Sequence, residues 1–163
     1  MDLSLWRMGR DIDVPAGKPL IMNQQMYISV PSVHQDAPRV TLPITGDAVG
    51  ELQKIRGGDC LYFTGEVEYE AASPAAFMGA QRQFGQVSSG CIVIGERGPF
   101  AVGKLAISFG DHYYFGVNPE GELLLNNDLE DVRFFGLAEW NLVAYSKAGA
   151  RIVLAGVSAK LRE

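Results

Sequence analysis

The sequence predicts a mainly β chain: an antiparallel β-sandwich or barrel, jelly-roll-like, with two short helices and an extended N-terminal arm. Three observations carry this. Apolar and polar residues alternate in several runs between Cys60 and Leu161, the period of a half-buried strand. Turn residues punctuate the chain at short intervals beyond residue 45, as in an all-β domain. Helix caps are rare, and the first 45 residues hold five of the eight prolines but only two of the nineteen glycines.

Residues 1–45 read as a proline-punctuated arm or first strand, and residues 46–163 as an antiparallel β domain, the two making a single domain. From Pro19 to Gln35 no residue is charged, and prolines remove ladder donors and stop helices, so the stretch reads as extended. Its apolar residues Leu20, Ile21, Met22, Met26, Tyr27 and Ile28 are the candidate interface. Such a segment needs cover, either from the chain's own core or from a neighbouring subunit.

Asp47 caps a predicted helix over about Ala48–Arg56, carrying Val49, Leu52 and Ile55 and ended by Gly57-Gly58. Cys60 to Glu70 reads as one strand, with Leu61, Phe63, Val67 and Tyr69 on one face and Thr64, Glu66, Glu68 and Glu70 on the other. Ser73-Pro74 opens a second predicted helix over about Pro74–Phe84, stopped by Gly85. Ile92-Val93-Ile94 is apolar on both faces and reads as a central strand. Phe100 to Phe109 alternates through Leu105 and Ile107. Tyr113 to Val117 and Glu122 to Asn126 form a hairpin around Asn118-Pro119-Glu120-Gly121, in which proline suits the first central position and glycine the left-handed residue of a bulge. Val132–Leu137, Trp140–Ser146 and Ala150–Leu161 complete the run, with Ser146-Lys147-Ala148-Gly149 joining the last two. The expected core is Leu61, Phe63, Val67, Ile92, Ile94, Leu105, Ile107, Phe115, Leu142, Val153 and Val157.

Composition excludes several classes of function. The 163 residues make one domain, long enough to bury roughly 70% of the unfolded surface. The formal charge of −5 argues against a nucleic-acid partner, which a basic footprint would mark. No apolar run reaches about 18 residues, so no membrane partner is expected. The start Met1-Asp2-Leu3-Ser4-Leu5-Trp6-Arg7 has an acid where a signal peptide is basic and no apolar run after it, so the expected place of synthesis is the cytoplasm, without a signal peptide.

The chemistry-bearing residues do not assemble into a catalytic set. Cys60 and Cys91 have no C-x-x-C or zinc spacing and read as buried free thiols. His34 and His112 are the only imidazoles. Glu66, Glu68 and Glu70 lie roughly 7 Å apart along one strand face. That gives them like environments, where a glycosidase needs unlike ones. Asp111 and His112 are adjacent on a strand and point to opposite faces, so they do not pair as acid and base. No G-x-S-x-G is present. Asn126 to Asp131 is rich in oxygen but lacks calcium-loop spacing. Arg56-Gly57-Gly58-Asp59 lacks the lysine of a phosphate loop and leads into a strand. His112, Tyr114 and Trp140 remain as a weak candidate ligand platform. No catalytic residue, cofactor site or metal site is assigned.

Two function classes follow. The first is a non-enzymatic structural subunit of a larger protein assembly, a phage or virus particle component such as a capsid decoration or tail-associated protein. Its partners are copies of itself and neighbouring subunits, and its destination is the virion. The second is a small-molecule or glycan-binding β-barrel or jelly roll, with an enzyme among the forms it could take.

Overall fold

The computed structural model describes residues 3–32, 39–72, 77–81, 89–106, 110, 112–125 and 134–159. Among these residues fifteen strands, numbered in chain order, form three antiparallel sheets. The first sheet runs β1-β6-β2-β3-β4-β5 and comprises β1 (Trp6–Arg10), β2 (Pro19–Met22), β3 (Gln25–Val30), β4 (Val40–Pro43), β5 (Gln53–Lys54) and β6 (Asp59–Phe63). The second runs β12-β11-β10-β9-β13-β8, from β8 (Phe77–Gln81), β9 (Ile92–Gly95), β10 (Gly98–Ala106), β11 (His112–Val117), β12 (Leu123–Leu125) and β13 (Phe134–Leu137). The third is β15-β14-β7, from β7 (Val67–Ala71), β14 (Glu139–Tyr145) and β15 (Arg151–Ser158). Each sheet has two open ends, so none is a closed barrel.

One core joins the inner faces of all three sheets. Trp6, Ile28, Val30, Leu42 and Phe63 enter from the first sheet, Ile92, Ala101, Phe115 and Val117 from the second, and Val67, Tyr69, Trp140, Leu142 and Val157 from the third. A smaller cluster of Val14, Leu20, Tyr27 and Cys60 lies on the other face of the first sheet. Cys91, Val93, Phe100, Val102 and Leu124 do the same for the second.

Pro19 to Val30 is a hairpin inside the chain's own sheet. Its two turn residues, Asn23 (φ 50°) and Gln24 (φ 64°), are both left-handed, the geometry of a two-residue turn matched to strand twist. β2 pairs with β6 on its other side and β3 with β4. A 3-10 turn at Asp11–Asp13 is strapped over this hairpin. The Arg39 guanidinium donates to the carbonyls of Ile12 and Val14 and to Ser29 Oγ, and buried Ser29 donates to Val14 O.

The two expected helices are absent from the described residues. Over 47–54 the chain makes a turn and then β5. Gly50 sits at φ +84°, and a Cβ there would stand 2.3 Å from Gly90 N, so the backbone is locked against the second sheet. Leu52 N donates to Lys104 O and Lys104 N to Gly50 O, which uses the groups a helix would need. Within the second expected helix, Phe77–Gln81 is β8, laddered onto β13. Gly79 weakens a helix there, and the tertiary ladder overrides the good helix formers beside it.

Cys60 to Glu70 is two strands rather than one. The chain leaves the first sheet after Phe63 and enters the third at Val67. At the crossing, Thr64 N and Oγ1 both donate to Leu5 O and Lys18 Nζ to Gly65 O.

Most of the expected core is inside, with two corrections. Phe63, Val67, Ile92, Phe115, Leu142 and Val157 are buried, and Leu61 and Leu105 pack partly buried against the core. Ile107 lies outside the described residues. Val153 is 46% exposed, because a bulge between β14 and β15 leaves Leu154 unpaired. The extra residue reverses the inward parity, so Val157 points in and Val153 points out. Ile94 is 37% exposed, next to Gly95, where β9 ends at its hairpin to β10. The expected hairpin at Asn118–Gly121 forms, with Gly121 at φ +85°, Gly121 N bonded to Asn118 O and Glu122 N to Asn118 Oδ1. Ser146 to Ala150 repeats this pattern, with Gly149 at φ +83° and Ala150 N bonded to Ser146 Oγ.

Two stability changes follow. Phe63 is 1% exposed and its ring meets Trp6 edge-on at 5.3 Å, so Phe63→Ala is expected to cost about 3–5 kcal/mol in urea titration. Gln24 bears a left-handed backbone that glycine adopts freely, so Gln24→Gly is expected to raise stability by about 0.5–1 kcal/mol and shift the midpoint upward.

Candidate functional site

The sequence-selected platform residues do not come together. Trp140 is fully buried in the central core, its indole N–H donating to Gly90 O at 2.8 Å and its ring 5.0 Å from that of Tyr69. Both faces of the indole are taken by the protein. His112 and Tyr114 share the opposite face of the second sheet, His112 exposed at the start of β11 and Tyr114 packed on the Phe100–Val102 cluster. His34, Asp111 and Asn126 to Asp131 lie outside the described residues. Of the candidate interface, Leu20, Tyr27 and Ile28 are buried within the chain, while Ile21, Met22 and Met26 are half-buried.

Ile21 and Met26 form part of a row, while Met22 packs on the other face with the Leu20–Tyr27 cluster. Across the first sheet, Met8 pairs with Leu61, Leu61 with Ile21, and Ile21 with Met26. Leu61, Ile21 and Met26 pack on the core's margin, whereas Met8, on edge strand β1, is 85% exposed.

The carboxylates of β7 are held by the neighbouring strands. Tyr145 Oη donates to Glu68 Oε2 at 3.1 Å, and Arg151 pairs with Glu70. The Glu68 hydrogen bond raises the Tyr145 pKa. These are surface contacts of a solvated strand face.

Beside them lies a groove of about 310 Å³ between the edge of β7 and two turns of the second sheet. Val67, Glu68 and Tyr69 form one wall. Arg97 and Pro99 come from the β9–β10 hairpin, and Asn118, Pro119 and Glu120 from the β11–β12 turn. Tyr69 is 8% exposed, and its buried hydroxyl has no hydrogen-bond partner among the described residues. Burial first, and Glu120 second, push its pKa far above the ordinary tyrosine value, so the hydroxyl keeps its proton. Arg97 stacks over Phe100 at 5.5 Å and stands 3.6 Å from Glu122. The groove escaped the sequence reading because its walls come from three distant segments. A tyrosine on a buried strand face was the available signal, since its hydroxyl must find a partner somewhere.

The two cysteines are free and buried in separate clusters, on different sheets. Burial, then Asp11, Asp59 and Asp13, raises the Cys60 pKa. Burial alone pushes Cys91 up to about 12. Asp11 is itself buried, with Oδ1 unpartnered among the described residues. Gly57 and Gly58 serve this corner as carbonyl acceptors, for Arg10 Nη2 and Asp11 N. No helix among the described residues is long and apolar enough to cross a membrane.

Comparison with protein-family models, with curated proteins and with solved structures finds no significant match.

The cysteine chemistry has a pH signature. The folded chain holds the Cys91 proton to about pH 12, whereas an unfolded thiol releases it near 9. This contribution to stability is therefore fully present below the unfolded value and falls as pH rises towards the folded one, by roughly 1 kcal/mol at pH 10. Cys91→Ala is expected to lose that part of the alkaline slope in denaturant titrations. A variant slope equal to the parent's would place the thiol in water.

Proposed function

We propose that this chain is a non-enzymatic structural subunit that assembles with further copies of itself into a larger, sandwich-like β assembly, a phage or virus particle component of the decoration or tail-associated kind. The observation that supports this most is the open edge of β15. Among the described residues, this eight-residue strand has one hydrogen-bonded neighbour, β14. Arg151 is its only charge, and it contains no lysine or proline to guard the edge. The bulge at Leu154 is its single blunting device.

The other edges are poorer choices for self-pairing. β5 and β12 have two and three residues. Two copies of β1 would bring Arg7 and Arg10 together, and two copies of β7 would oppose Glu68 and Glu70. β8 offers five residues against the eight of β15. Antiparallel pairing of two β15 strands places Arg151 opposite uncharged residues. It also covers part of Val153 and Tyr145, which are 46% and 38% exposed. Met8, 85% exposed on edge strand β1, adds a second apolar contact for neighbours, and a methionine fits an irregular partner.

Sedimentation equilibrium tests the reading. The chain should show a mass that rises with concentration above that of one copy. Val153→Lys, on an already exposed position, is expected to weaken association about tenfold. A chain that stays monomeric near millimolar concentration, or a Val153→Lys chain that associates like the parent, rejects it.

A further inference from the structure

The groove beside β7 carries charges that the fold leaves unmatched. Arg97 is answered by Glu122 and by the Phe100 ring. Glu68 receives one hydrogen bond, from Tyr145, on one of its two oxygens. Glu120 stands at the first turn of the β11–β12 hairpin, exposed, and no ion pair among the described residues involves it. The net character of the groove is therefore anionic. Its walls are apolar, from Val67, Pro99 and Pro119. A neutral buried hydroxyl, that of Tyr69, has no hydrogen-bond partner among the described residues.

We propose that this groove binds a primary alkylammonium group, the side chain of a lysine or a free aliphatic amine. The alkyl stem lies against Val67, Pro99 and Pro119, whose carbon surface offsets its loss of water. The ammonium has three N–H donors. Glu120, the carboxylate whose charge acts on the Tyr69 hydroxyl, accepts from it, and Tyr69 Oη offers a lone pair. A carboxylate ligand meets the opposite situation: two like charges and one arginine already engaged. A volume near 310 Å³ stands at the lower end for small-ligand sites, which suits one side chain rather than a cofactor. The open edge of β7 adds backbone donors and acceptors for a lysine carried on an extended peptide.

Amide chemical-shift titration of the full chain with n-pentylammonium and with N-acetyl-lysine methylamide tests this. Saturable shifts confined to the residues around Tyr69, Arg97 and Glu120 are expected, with millimolar affinity. Glu120→Gln, an exposed change in a turn, should weaken binding about fivefold. Tyr69→Phe should weaken both probes while leaving the spectrum folded. Pentanol and pentanoate are the controls. Equal shifts with pentanol would reduce the groove to an apolar surface. Binding of pentanoate instead would make Arg97 the ligand group. Unsaturable shifts up to about 50 mM, or a Glu120→Gln chain that binds like the parent, would overturn the proposal. An ordered water permanently bonded to Tyr69 Oη would give that same null titration. Association through β15 uses another edge, so either result leaves it separately testable.

Discussion

Gly90 is the point through which the three sheets hold one another. Its N–H donates to Val102 O in the second sheet at 2.7 Å, and its carbonyl accepts the Trp140 indole of the third. Its α-carbon faces Val49 in the loop that leaves the first sheet, where a Cβ would stand 2.8 Å from the Val49 side chain. Ala159, just past β15, closes the same space at 3.3 Å. Two glycines, Gly50 and Gly90, meet here with left-handed backbones. Any side chain at either position would part the first sheet from the other two. The buried Trp140, in turn, has its one polar atom satisfied only because Gly90 presents its carbonyl there.

That junction explains where the sequence reading of the fold succeeded and where it failed. Alternation along a strand is a local property, and it correctly marked Phe63, Val67, Leu142 and Val157 as inward. The two-residue parity fails at a bulge, and Leu154 carries no sequence mark of one, so Val153 was placed inside. The assumption that an unbroken alternating run is one strand fails at Thr64–Glu66. There the chain changes sheets without losing its pattern, because both sheets face the same core. The helix preferences after Asp47 and over Phe77–Gln81 are real but local. They yield to ladder partners, Lys104 and β13, that no local pattern reveals.

The candidate site was less legible than the fold. The sequence offers Tyr114 and Trp140 as a ligand platform with core packing as the rival, and packing consumes Trp140 while Tyr114 faces a different sheet surface. The groove depends instead on Tyr69, Arg97 and Glu120, which belong to three separate elements brought together by β7 crossing to the third sheet. The uncharged stretch from Pro19 to Gln35, described through residue 32, is legible in the sequence as needing cover. The covering groups, Arg39 and the Asp11–Asp13 turn, come from either side of it in sequence.

The two turns built alike, Asn118 to Glu122 and Ser146 to Ala150, bear on how the chain reaches this state. Each closes with a left-handed glycine and a side-chain oxygen that holds the N–H four residues on. Such hairpins need only short loops and form on the microsecond scale, about 1–10 μs. The pairings β1 with β6 and β7 with β14 join residues far apart in the chain and carry a large loop-closure cost. Loop-closure entropy therefore favours closing these hairpins before the long-range pairings of the first and third sheets. On that order β15 zips to β14 before β7 docks on β14's other edge. The half-built third sheet then presents two open edges at once, so the kinetic competition between folding and premature association is decided by how quickly β7 arrives.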